Sequence, residues 1–331
     1  MRAWLQEQWH RITPWHLILI PLSMVFGLLA TVRRVLFALG LKRAVQLPVP
    51  VIVVGNITAG GAGKTPLVLW LAEALKKRGL RPGIVSRGYG GRVTVPRPVR
   101  ADSDPETAGD EPVLLARRSG CPVWVGRDRV AAAQALLAAH LDCNVIISDD
   151  GLQHYRLARD VEIAVVDGVR RFGNGLLLPA GPLREGTWRL AVVDAVVVNG
   201  GAAAAGRDKE YNMRLVGAEF YNLKRPDQRA QPADFQGKRL HAVAGIGHPQ
   251  RFFDHLASLG LNAAVHPFRD HHRFRLRDLT YPDADAVLMT EKDAVKCAAL
   301  IGADNCWVLA VQAEVDPALE EKILEKLKER D

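Results

Sequence analysis

Cysteine is scarce in this chain of 331 residues, and the four present (Cys121, Cys143, Cys297 and Cys306) stand far apart with no CxxC pair. That spacing argues against a disulfide framework or a standard zinc site and fits reduced thiols in a cytosolic setting. Aromatic residues make up only 6%, and the positive charge is not gathered into one dense stripe, so nucleic acid is not an expected partner. Internal repeats and long low-complexity runs are missing as well. What is abundant is apolar: 48% hydrophobic content excludes general disorder, and the length allows two domains. A net charge of +8 and a pI near 9.5 ask for an acidic partner, which leaves an anionic membrane surface or a phosphorylated substrate.

The most specific stretch runs from Val51 to Thr65. Four β-branched residues read as a buried strand, the Gly-rich turn Thr58-Ala59-Gly60-Gly61-Ala62-Gly63 ends in Lys64-Thr65, and a helical pattern continues from Pro66 to Arg78. This is the strand–loop–helix setting of a phosphate-cradling loop, with Lys64 reaching the β and γ phosphates and Thr65 ligating Mg²⁺. The strict pattern wants glycine at position 58, where this chain has Thr58.

Ile12 to Val32 holds 21 residues without a formal charge. As a helix it just reaches across a hydrocarbon core of about 30 Å. Pro21 and a polar fringe weaken a full span, and Arg33, Arg34, Lys42 and Arg43 favour a cytosolic location for the remainder of the chain. A membrane-anchoring or shallowly inserted helix is expected, with a buried helix and a cleaved signal as the alternatives.

Alternating patterns predict strands over 81–85, 122–125, 145–148, 161–166 and 191–198, and helices over 107–119 and 129–140. The Ala/Gly stretch from residue 200 to 206 reads as a surface connection. Beyond it come strands over 212–216, 239–244, 263–266, 287–290 and 307–311, a helix over 249–259 and a closing amphipathic helix over 317–330. Such alternation predicts an α/β fold with a parallel sheet covered on both faces.

Several groups carry candidate chemistry. Asp149 and Asp150 end a hydrophobic strand, as a Mg²⁺-holding partner of the phosphate loop does, or as turn-capping aspartates do. Asp110 and Glu111 sit at a predicted helix start, where capping competes with service as a base. His266, Asp270, His271 and His272 form a dense imidazole cluster: a transition-metal site, solvated loop residues, or a histidine tuning a carboxylate. Thr290-Glu291-Lys292-Asp293 only superficially matches a guanine-reading motif, since Lys and Asp are adjacent.

In its ordered set of motifs the chain resembles the tetraacyldisaccharide 4′-kinases, the lipid A 4′-kinases of Gram-negative bacteria. The carriers are the N-terminal apolar helix, Gly60-Gly61-Ala62-Gly63-Lys64-Thr65-Pro66, Ser86-Arg87-Gly88-Tyr89-Gly90 and Gly109-Asp110-Glu111-Pro112. Downstream stand Gly126-Arg127-Asp128-Arg129, Asp149-Asp150-Gly151-Leu152-Gln153-His154, the run Pro179 to Glu185, Asp270-His271 and Thr290 to Lys296. The Asp-Asp-Gly-x-Gln-His element is far more specific than any phosphate loop, and Thr58 is ordinary in that family.

The resemblance implies a RecA-like P-loop domain over 46–215, a smaller α/β subdomain over 216–331 whose last helix is free to pack back on the core, and a membrane-associated segment over 1–45. It implies ATP and Mg²⁺ as cofactors, an acylated glucosamine disaccharide 1-phosphate as substrate, lipid IVA as product, and the cytosolic face of the bacterial inner membrane as location. It further implies Asp110 as general base with His271 as partner. Gln153 and His154 would line the nucleotide; Asp149, Asp150 and Glu185 would serve the metal. Arg87, Arg127, Arg129 and Arg184, with Glu111, would face phosphates or substrate. A nucleotide-driven switch at the membrane is the rival, needing neither an acceptor hydroxyl nor His271.

Overall fold

Residues 9, 11–91, 93–201 and 209–330 are described in the computed structural model; residues 202–206 of the Ala/Gly connection predicted over 200–206 lie outside them. The first element is a helix, α1 (His16–Ala38), which begins four residues into the uncharged run and continues through Arg33 and Arg34. By length and composition it can cross a membrane. Its outer face is apolar and open, with Leu17 82%, Met24 71% and Leu28 64% exposed. Its inner face is polar and buried. Ser23 Oγ donates to the Leu177 carbonyl at 2.8 Å and accepts from Ala180 N–H at 2.9 Å, and His16 Nε2 lies 3.1 Å from the Ala180 carbonyl.

Then come β1 (Val51–Gly55), α2 (Lys64–Lys77), β2 (Pro82–Ser86), β3 (Arg97–Val99), α3 (Pro105–Ala108), α4 (Asp110–Ser119) and β4 (Val123–Val125). They are followed by α5 (Arg129–Ala139), β5 (Val145–Asp149), β6 (Val161–Asp167), α6 (Arg189–Val192), β7 (Ala195–Asn199) and β8 (Glu210–Val216). The smaller unit holds β9 (Phe220–Asn222), β10 (Arg229–Ala230), β11 (Leu240–Ala244), α7 (Pro249–Ser258), β12 (Ala263–Pro267), β13 (Ala286–Thr290), α8 (Glu291–Cys297) and β14 (Cys306–Leu309). β15 (Gln312–Val315) and α9 (Pro317–Lys328) close the chain.

Among the described residues the strands form two sheets. The larger runs β15-β8-β7-β6-β1-β5-β2-β4-β3 and the smaller β10-β9-β14-β13-β11-β12. In the larger sheet every pair is parallel except the two edges, β3 on β4 and β15 on β8. A parallel sheet needs cover on both faces, which is why its central strands, such as β1, β5 and β7, are mostly apolar and buried throughout. β1 sends Ile52 and Val54 into one core and Val51 and Val53 into the other.

The chain enters the second unit after β8 and returns at 310–311. β15 then pairs with β8, and α9 buries Leu319, Ile323 and Leu327 in the larger sheet's core. The run predicted as a strand over 307–311 is strand only as far as Leu309, the end of β14; β15 begins just beyond it and serves the other sheet. The segment predicted as strand from 191 begins instead with α6. Both sheets present the carboxyl ends of their parallel strands to the cleft between them, where an open α/β sheet places its ligands.

Candidate active site

The phosphate loop leaves β1 at Gly55 and enters α2 at Lys64. Gly63 caps that helix with φ +92, and a Cβ there would stand 2.1 Å from Asn199 Nδ2, so only glycine fits. Asn199, at the end of β7, donates to the Ala62 carbonyl at 3.0 Å. On the other flank Thr58 bridges to Leu183, and Ala59 N–H donates to the Pro182 carbonyl at 2.7 Å. Asn56 Nδ2 spans the loop to Gly60 O at 3.3 Å while its Oδ1 accepts from Lys64 Nζ at 3.3 Å. The loop is thus shaped by side chains before any phosphate arrives. Thr65, half-buried, is the second residue of α2.

Asp149 and Asp150 are neighbours with opposite electrostatics. Asp150, in a left-handed conformation (φ 48), forms ion pairs with Lys64 at 3.3 Å and Arg184 at 3.2 Å. Burial pushes its carboxyl up, but those two cations outweigh it and hold the group well below the usual range. Asp149 is buried; one oxygen accepts from Ser86 Oγ at 3.1 Å and the other, Oδ1, has no partner among the described residues. Burial, then the Glu111 charge, raise it to about 7. A buried carboxylate with an orphaned oxygen beside a phosphate loop is a donor set that fits a hard cation.

The other predicted residues gather less evenly. Gln153 donates to the Asn56 carbonyl at 3.1 Å and to Glu185 at 3.3 Å. Glu185 also takes the Tyr155 hydroxyl and lies 3.5 Å from Arg189, so protein donors already engage it. His154 is held neutral, burial lowering it to about 4. Arg129 is buried, its Nη2 on the Asp150 carbonyl at 3.2 Å, and burial lowers it to about 10 with the Arg87 charge adding to the effect. Arg87 and Arg127 are exposed beside it.

Across the cleft, Asp110 opens α4 after Gly109 (φ +94), whose Cβ position lies 2.8 Å from the Tyr89 carbonyl. The glycine-rich loop 86–91 therefore packs directly on this helix start. His271 Nδ1 from the smaller unit donates to Asp110 Oδ2 at 3.0 Å. Burial pushes Asp110 up, but the His271 bond and the Lys292 charge win, and its carboxyl lies below the ordinary range. Lys292 Nζ reaches Glu111 at 3.0 Å and Asp270 at 3.3 Å.

The imidazoles predicted as a cluster point to three different partners. His266 lies 2.9 Å from His241, His271 on Asp110, and His272 3.0 Å from Asp278. Among the described residues no group of three or more metal-ligating side chains converges. Nor does the Thr290–Asp293 run face a base: Thr290 caps α8, and Asp293 is buried on Gly245 N–H at 3.0 Å.

Sequence reasoning missed a second set of contacts at the loop. Arg170 donates to Gly61 O at 2.8 Å and to Gly247 O at 3.2 Å, and is held by Asp167, which also receives Arg251 at 2.9 Å. This strap joins the phosphate loop to the smaller unit. Arg170 lies three residues past the end of β6, and that position at a parallel strand's carboxyl end was the available signal.

Fold and site together define a P-loop phosphotransferase: a phosphate cradle, a cation-ready carboxylate and an acid–imidazole couple around one cleft. A family model described as tetraacyldisaccharide-1-P 4′-kinase matches residues 15–328. The chain is 52% identical to the tetraacyldisaccharide 4′-kinase of Methylobacillus flagellatus (98% of this chain, 96% of that one) and 52% identical to that of Dechloromonas aromatica (100% and 99%). Among solved structures it is similar to LpxK from Aquifex aeolicus in complex with ATP, with TM-score 0.79, 28% identity, and coverage of 93% and 98%. The chain belongs to the tetraacyldisaccharide-1-P 4′-kinase family, the kinases of lipid A biosynthesis.

Proposed function

We propose that this chain moves the γ-phosphoryl of ATP to the 4′-hydroxyl of a tetraacylated glucosamine disaccharide 1-phosphate, with Asp110 taking the hydroxyl proton. The observation that carries this reading is the 3.0 Å bond from His271 to Asp110, made across the cleft, with Asp110 next in sequence to Glu111, whose charge acts on Asp149. The acceptor O–H breaks as its oxygen bonds phosphorus, the bridge to the β phosphate breaks, and ADP leaves. The loose transition state of such a transfer asks chiefly for alignment and charge neutralisation.

Lys64 would leave Asp150 for the β and γ phosphates, with the 58–63 amides cradling them. Asp149, Thr65 and, on rearrangement, Asp150 would hold Mg²⁺. That ion when bound supplies neutralisation of charge on the transferred group. His271 Nδ1–H fixes the orientation of the Asp110 carboxylate, and the ionised state of Asp110 leaves it ready to accept a proton late in the transfer. Arg87, Arg127 and Arg129 offer the positive charge that a phosphorylated sugar needs. The open apolar face of α1 supports a location on the cytosolic side of the bacterial inner membrane, where the acyl chains of the substrate reside.

Incubation with γ-labelled ATP and the disaccharide 1-phosphate lipid tests this. Label on the sugar is expected, and free labelled phosphate with no labelled lipid would establish the nucleotide-switch alternative instead.

A further inference from the structure

Three carboxylates, Asp110, Glu111 and Asp270, crowd the acceptor side of the cleft, and one ammonium lies among them. Lys292 Nζ is 3.0 Å from Glu111 on α4 and 3.3 Å from Asp270 on the smaller unit, with its side chain 17% exposed. Asp270 in turn accepts from His271 N–H at 3.1 Å and lies 3.6 Å from His271 Nε2, while His271 Nδ1 is on Asp110. The circuit therefore closes: α4, α8 and the 270–272 loop are joined through one side chain. His271 holds a left-handed backbone conformation, φ 59, which a non-glycine residue keeps only when its surroundings impose it.

We propose that Lys292 is a positioning residue for the phosphoryl transfer: it latches the loop bearing His271 onto α4 and so keeps the His271–Asp110 bond in place while the units are together. This rests on the reading of Asp110 as the base. The groups facing Asp110 are Glu111 on its own helix, His271 and Asp270 from the loop, and Lys292 and Lys296 from α8, with Tyr89 beside the His271 ring. Without the ammonium the carboxylates repel one another, the loop loses its hold on α4, and Asp110 gains proton affinity. Charge and contact act in the same direction.

The test uses the full chain with ATP and the disaccharide 1-phosphate lipid in mixed micelles. Lys292→Met is expected to lower kcat by about tenfold or more, leave the KM for ATP within about twofold, and move the acid side of the kcat profile to higher pH. Lys292→Arg should recover most of the rate. Combined with Asp270→Asn, Lys292→Met should cost less than the product of the single losses, since both break one latch. Lys292→Gln, which removes the charge and keeps a polar head, repeats the measurement if the methionine variant does not fold. A kcat within twofold of wild type with an unmoved profile, or strictly multiplicative losses, would overturn the proposal. Asp110→Ala separates the two readings: if it stays active the base assignment fails, whereas an inactive Asp110→Ala beside an active Lys292→Met removes only the latch.

Discussion

The two walls of the cleft are built by different means. The nucleotide wall is a set of strand ends within one sheet, its loop pinned by backbone and amide bonds from Asn56, Asn199 and Pro182. The acceptor wall is assembled across two units by side-chain ion pairs through Asp110, His271 and Lys292. The three holds on the nucleotide wall come from the larger unit itself, so they do not depend on the units being together. Side-chain circuits between units can open whenever the units part. On the proposed reading the two walls would divide the labour, one cradling the common nucleotide and the other completing the acceptor side only when the units are together, which would limit hydrolysis.

Asp110→Ala puts that division under the greatest strain. It should lower kcat by about 10²–10⁴-fold while equilibrium ATP binding stays within about twofold; a matching loss of ATP affinity would show that the walls are not independent. Gly63→Ala attacks the other wall. Its side chain would meet Asn199 in a backbone conformation that costs about 1–3 kcal/mol for a non-glycine residue, so ATP affinity and thermal stability should fall together, measured by calorimetry and melting.

Asp149 offers a pH test with a definite sign. Its folded-state pKa, raised to about 7, exceeds the unfolded value, so the stability from keeping it neutral is present at low pH and is lost as pH rises through about 7. Metal-free protein should melt at progressively lower temperature from pH 6 to 8, and Mg²⁺ should restore more of the melting temperature at pH 8 than at pH 6. Asp149→Asn should flatten both trends. The mildest effect lies outside the cleft: Leu17→Glu with Leu28→Glu on the open face of α1 should reduce co-flotation with anionic vesicles several-fold. ATP binding should not change.

Much of the larger sheet is legible in the sequence because strands buried on both faces, such as 145–148 and 161–166, are short runs rich in valine and isoleucine bounded by turns. The short edges are not: Arg97–Val99 and Arg229–Ala230 carry exposed polar residues and owe their shape to the neighbour they pair with. An apolar run alone cannot tell helix from strand, which is why α6 merges into β7 in the sequence pattern. No local pattern marks the point where 306–315 changes sheets, since that is decided by partners far away in sequence. For the site, the phosphate loop and the Asp149–His154 element stand out by composition. Tyr155 and Arg170, which help hold them, do not, because each acts through a contact distant along the chain. The link between Arg118 and Glu291, with Val311 N–H at 3.2 Å on the same carboxylate, is of this kind.

The buried polar stripe of α1 has a mechanical corollary. Ser23 and His16 grip the backbone at Leu177 and Ala180, and a few residues on, Pro182 and Leu183 are bonded to Ala59 and Thr58. The helix is thereby geared to the cradle through a single short run of chain. Whatever fixes the tilt or elevation of that rod relative to its surroundings also fixes the attitude of the glycine-rich loop, so the rod acts as a keel for it.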